Sequence, residues 1–73
     1  MQVVIRRHYN GRDEYCGEGW WDAQYLRVAH CSAALPGETY TLLDAAITAA
    51  GPKPSMEITV LGADGAWYTA ALE

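Results

Sequence analysis

The chain contains only two cysteines, few basic residues and no long apolar run, and each shortage removes a class of protein. Two cysteines, Cys16 and Cys31, are too few for the disulfide frameworks that staple small secreted domains. No run approaches membrane-spanning length, and the opening Met-Gln-Val-Val-Ile-Arg-Arg lacks the apolar stretch of a signal peptide. A cytoplasmic location is expected, in the host cell if the chain is phage-encoded, and that reducing setting disfavours a Cys16–Cys31 disulfide. Five basic side chains against nine acidic ones leave a net charge of −4. Binding to phosphate backbones needs clustered Lys and Arg, so direct contact with nucleic acid is not expected. An acidic surface suits basic partners, including proteins that themselves grip nucleic acid, and it suits plain solubility.

What is present reads as one compact domain over residues 1–73. Just over half of the residues, 51%, are apolar, too many for a disordered segment. A chain this short buries only about 60% of its unfolded surface, so the core must be compact. The aromatic residues are three Trp and five Tyr. Both types carry a polar handle and serve equally well at a binding surface and in a small core.

Residues 2–9 are rich in β-branched and aromatic types, and Asn10-Gly11 then offers the positive φ that a type I′ turn needs. Strands are expected at 2–9 and 12–16. As a two-residue loop, Asn10-Gly11 pairs Tyr9 with Arg12, His8 with Asp13 and Arg7 with Glu14. From Trp20 to Leu35 the spacing of Trp21, Tyr25, Val28 and Ser32 is helical, predicting a helix over about 20–34. Gln24–Cys31 also alternates passably as a third strand. A second helix is expected over about 41–50, with Thr41 and Asp44 as a capping pair and Gly51-Pro52 as its close. Only Asp44 and Thr48 are polar within it, which implies that most of its circumference is covered. Ser55–Gly62 alternates, Asp64-Gly65 is a further turn signal, and Ala66–Leu72 returns. Met56, Ile58, Val60, Trp67 and Ala71 should share the buried face. The expected fold is α+β: an antiparallel sheet of two hairpins, about 2–16 and 55–72, with both helices on one face. A β-grasp-like outline is the nearest familiar one.

Catalytic constellations are not indicated. His8, Cys16, His30 and Cys31 have the right number for zinc, but no C-x₂-C or H-x₃-H pair seeds a site. Adjacent His30 and Cys31 diverge by about 100° on a helix, which does not make a nucleophile–base pair. Gly17-Glu18-Gly19 and Gly62-Ala63-Asp64-Gly65 are too short for a phosphate cradle. Asp13 and Glu14, adjacent on a strand, face opposite sides of the sheet. No enzyme, cofactor or metal is expected.

Charge is unevenly laid out. Arg6, Arg7 and Arg12 fall in the first twelve residues, where there is no acid, and Asp13, Glu14, Glu18 and Asp22 follow, with no base among them. Cross-strand pairing in the first hairpin partly neutralises Asp13 and Glu14. Glu18 and Asp22 remain at the start of the expected first helix, where carboxylates favour the helix dipole. Trp20 lies between them, turned from the core, with Tyr15 nearby. An aromatic flanked by carboxylates has the make-up of an interface anchor, so Glu18, Trp20, Asp22, Tyr15, Asp13 and Glu14 are the candidate binding residues.

In its compactness, its lack of catalytic residues and its stretch Asp13-Glu14-Tyr15-Cys16-Gly17-Glu18-Gly19-Trp20-Trp21-Asp22, the chain resembles the small acidic inhibitors of phages and mobile elements, such as anti-CRISPR proteins. The resemblance implies stoichiometric blocking of a nucleic-acid-handling protein complex, with carboxylates in a Lys/Arg groove. The competing expectation is a regulatory or accessory subunit, antitoxin-like or a homodimeric scaffold, that docks through apolar surface. An outward Leu61–Tyr68 pair would favour it.

Overall fold

The computed structural model describes residues 1–32 and 35–73. The elements run β1 (Gln2–Tyr9), β2 (Arg12–Trp21), β3 (Leu26–Cys31), α1 (Gly37–Ala50), β4 (Glu57–Leu61) and β5 (Trp67–Leu72). All strand pairs are antiparallel, and the sheet order is β3-β2-β1-β5-β4, which makes the first strand the central one. Thr39, Leu43 and Ile47 of α1 are fully buried, and the two apolar ones join Val3, Ile5, Tyr68, Ala70 and Leu72 in one core. The helix therefore covers one face of the sheet.

The first hairpin follows its sequence. Asn10 and Gly11 have φ of 52° and 73°, and Tyr9, His8 and Arg7 pair with Arg12, Asp13 and Glu14. Arg7 forms an ion pair with Glu14, and His8 Nδ1 lies 2.6 Å from Asp13 Oδ1.

The expected first helix is not formed. Residues 20–21 continue β2 and 26–31 form β3; positions 33 and 34 lie outside the described residues. Asp22 decides the local geometry: its carboxylate accepts the Tyr25 N–H at 3.3 Å and the Arg27 guanidinium at 2.5 Å. Its own N–H donates to the Tyr25 carbonyl at 3.1 Å. These bonds close a turn that competes with a helical one. Helical spacing placed Tyr25 beside Trp21, yet Tyr25 is exposed and Trp21 is buried.

The remaining helix starts at Gly37, behind Pro36, four residues before the expected Thr41. Asp44 does not cap it. Its Oδ1 accepts the N–H of Leu26 at 2.9 Å and so fastens α1 to the edge strand β3. Gly51, at φ 75°, ends the helix as expected, its N–H reaching the carbonyls of Ile47 and Thr48 at 3.1 and 3.4 Å. None of the described residues covers the outer side of α1: Leu42 is 44% exposed, with Thr41, Ala45 and Ala49 beside it.

The second hairpin differs by one residue. Gly62 N–H bonds to Ala66 O at 2.8 Å, which leaves a three-residue loop, Ala63-Asp64-Gly65, with Gly65 at φ 82°. A one-residue change of register turns every side chain of a strand over. Tyr68, Ala70 and Leu72 therefore enter the core beside Ile58 and Val60, whereas Trp67 and Ala71 face outwards. The Tyr68 hydroxyl donates to Asp64 Oδ2 at 2.6 Å. Burial and that carboxylate push the Tyr68 phenol up to about 12, while the phenol's hydrogen bond holds Asp64 below the ordinary carboxylate range.

Candidate functional site

The face of the sheet turned away from α1 follows from strand register, because side chains paired across an antiparallel ladder share a face. Four rows cross it. The first holds Leu61, Trp67, His8 and Asp13; the second holds Thr59, Thr69, Arg6 and Tyr15. The third holds Glu57, Ala71, Val4, Glu18 and His30, and the fourth Gln2, Trp20 and Arg27. Large apolar groups stand at two diagonally opposite corners. Leu61 and Trp67 are 51% and 48% exposed at one, and Trp20 is 53% exposed at the other. Tyr15, 40% exposed, stands beside Arg6 in the second row, on the same strand as Trp20.

A β-bulge assembles this face. Ile5 pairs with Gly17 but Arg6 with Tyr15, so Cys16 is the extra residue and turns into the core. Before Cys16 the odd-numbered residues of β2 reach the open face; after it the even-numbered ones do. An uninterrupted strand would put Tyr15 and Trp20 on opposite sides. A second irregularity at Ala29 sets His30 against Glu18 and Val28 against Gly19. The β3 backbone runs so close to β2 there that a Cβ on Gly17 or Gly19 would collide with the carbonyl oxygen of His30 or Arg27.

Four of the six expected binding residues, Asp13, Tyr15, Glu18 and Trp20, thus share the open face. Glu14 does not: it lies on the opposite side, held by Arg7. Asp22 lies just beyond Trp21 in the turn, with its carboxylate engaged by Arg27. Neither Glu18 nor Asp22 sits at a helix start, because no helix forms there. Of the outward Leu61–Tyr68 pair that the sequence suggested, only Leu61 faces out; Tyr68 is fully buried, and Trp67 is the residue paired with Leu61. Sequence reasoning missed Trp67 and Arg6 as members of this face. The three-residue loop Ala63-Asp64-Gly65, with Gly65 at positive φ, is what turns Trp67 outwards.

The open face is less acidic than the chain. Two arginines, Arg6 and Arg27, stand against three carboxylates, Asp13, Glu18 and Glu57, a net of one negative charge out of −4 overall. Partial burial raises the Tyr15 phenol above its ordinary value, and the adjacent Glu18 carboxylate adds to this.

The groups considered for chemistry do not converge. His8 and His30 belong to the open face, whereas Cys16 and Cys31 lie on the helix side. Cys31 Sγ is 2.7 Å from the Tyr40 hydroxyl, whose phenol is pushed up to about 12 by burial and by that thiol. Burial also raises the Cys16 thiol. Among the described residues no group of three or more His, Cys, Asp or Glu is placed to hold a metal ion, and no helix is long and apolar enough to cross a membrane. A cavity of about 210 Å³ opens at the end of β4 and β5, between Ser55–Glu57 and Ala71–Glu73. Its ionisable side chains are Glu57 and Glu73, with no imidazole, thiol or base between them. Compared with family models, with curated proteins and with solved structures, the chain matches none.

Proposed function

We propose that this chain is a non-catalytic protein-binding domain that works through the open face of its sheet. One observation carries the reading: a five-stranded face that none of the described residues covers presents Tyr15, Trp20, Leu61 and Trp67 at 40–53% exposure. Aromatic side chains on a rigid sheet, with charges interspersed, are the residue types that dominate binding energy at interfaces. The partner in the first reading is a basic, nucleic-acid-handling protein complex. Asp13 and Glu18, flanking Tyr15 and followed by Trp20, would occupy its Lys/Arg groove and block it stoichiometrically, as the resemblance to anti-CRISPR-like inhibitors implies. The outward Leu61–Trp67 pair favours a second reading, a regulatory or accessory subunit that docks through apolar surface. Both readings use the same face.

The test is binding to a candidate complex by wild type, by Glu18→Lys, by Trp20→Ala and by Trp67→Glu, with Leu42→Glu on the outer helix as control. Loss of binding in the sheet variants alone supports the face, and retention in all three overturns it. A steep fall in affinity with added salt selects the charge-driven blocker, and indifference to salt selects apolar docking.

A further inference from the structure

We infer that a second copy of this chain covers the open face, the two sheets meeting face to face across a two-fold axis that runs across the strands. The inference rests on the open face being the docking face, and it names the occupant.

Size separates the two uncovered apolar surfaces. Five strands at about 4.8 Å spacing and six residues at about 3.3 Å rise give roughly 475 Å² in projection, before the relief of standing side chains is added. That is of the order of the roughly 800 Å² per partner of a standard interface. The outer side of α1 spans about 21 Å by 10 Å, far less than a stable interface needs. Charge points the same way. The open face carries both signs, Arg6 and Arg27 with Asp13, Glu18 and Glu57, so a second copy can set opposite charges against each other, whereas the outer side of α1, with Thr41, Leu42, Ala45 and Ala49, offers no such pairs.

The axis follows from what it superposes. Rotation about a line between the second and third rows exchanges them, laying Arg6 of one copy over the Val4–Glu18 row of the other. Strands about 4.8 Å apart leave Glu18 of the second copy within reach of that guanidinium. The same rotation exchanges the outer rows and brings Arg27 beside Asp13 of the second copy. It also carries Leu61 and Trp67 over the far end of β4 and β5, where the cavity of about 210 Å³ lies. That cavity has room for one large apolar side chain. Glu57 and Glu73, among its lining residues, supply acceptors for the Trp67 indole N–H. Aromatic knob and end cavity, separated within one chain, meet twice in the pair, as an isologous interface requires.

Sedimentation equilibrium of the purified chain from micromolar to millimolar concentration tests this. The mass is expected to rise from 8.0 kDa towards twice that value. Trp67→Glu should weaken the dimer by about tenfold or more, and Leu42→Glu should leave it unchanged. Arg6→Glu and Glu18→Arg should each weaken it, and the double exchange should restore it, because the swapped charges meet again across the axis. Circular dichroism confirms that each variant is folded. A wild type that stays at 8.0 kDa in the millimolar range overturns the dimer, as does a dimer abolished by Leu42→Glu but not by Trp67→Glu. Failure of the double exchange to recover overturns the crosswise axis. None of these results removes partner binding through the face, which fails only if the sheet variants keep a partner.

Discussion

Replacing Gly19 with alanine asks whether β3 lies where it does. Gly19 and Gly17 face the helix side of β2, and β3 runs so close that a new methyl at Gly19 would meet the carbonyl oxygen, carbonyl carbon and Cα of the opposing strand. Those are backbone atoms, so no side chain can swing aside. β3 must move, and two or three ladder hydrogen bonds worth about 0.5–1.5 kcal/mol each go with it. Leu26 and Val28, partly buried against the core, loosen at the same time. A loss of about 3 kcal/mol is expected, from a total of about 4–11 kcal/mol for a domain of this length. Urea titration followed by Trp fluorescence and far-ultraviolet circular dichroism measures it, and amide exchange should show protection falling in β3 while β1 and β5 keep theirs. The same substitution at Gly37, in the first turn of α1 with nothing near its missing Cβ, should instead stabilise by about 0.5 kcal/mol. A helix over 20–34 would place Gly19 just before its start, where alanine does little. A Gly19→Ala protein within about 1 kcal/mol of wild type would therefore refute the β2–β3 geometry.

Further outcomes are expected. Tyr68 and Tyr40 titrate near 12 when folded and near the ordinary 10 when unfolded. Their neutral forms contribute stability that is whole below about pH 10 and lost between about 10 and 12, so urea midpoints should fall there, and less steeply in Tyr68→Phe. Asp64 is shifted the other way, so its share is present above the ordinary carboxylate range and is lost as pH falls through its lowered value; Asp64→Asn should flatten the acid limb. Ile47→Ala empties a fully buried site and should cost about 2–5 kcal/mol by urea titration, against less than about 0.5 kcal/mol for exposed Leu42→Ala. A thiol reagent should modify exposed Cys31 quickly and buried Cys16 only as urea unfolds the chain.

Much of the outline was legible in short-range chemistry. Asn10-Gly11 set both the turn and the Arg7–Glu14 and His8–Asp13 pairs, because a type I′ turn fixes the register of its strands. Gly51-Pro52 marked the end of α1 for equally local reasons. The errors arose where two periodicities competed. Residues 20–32 fit a 3.6-residue period and, from Gln24, a period of two. The choice fell to Asp22, whose carboxylate closes the turn, and to glycines that admit β3 beside β2. The second hairpin was misassigned by one residue of loop, which exchanged Trp67 for Tyr68 in the core.

The candidate face divides along the same line. By itself the sequence determined that Asp13, Tyr15, Glu18 and Trp20 lie close together along the chain, and that the protein is acidic with few bases. Only the tertiary structure decided that they share a side. The bulge at Cys16 reverses the alternation of β2 between Tyr15 and Glu18, and Leu61 and Trp67 arrive on that face because β5 returns beside β1. A bulge and a strand order are set by long-range pairing and core packing, which no local pattern encodes.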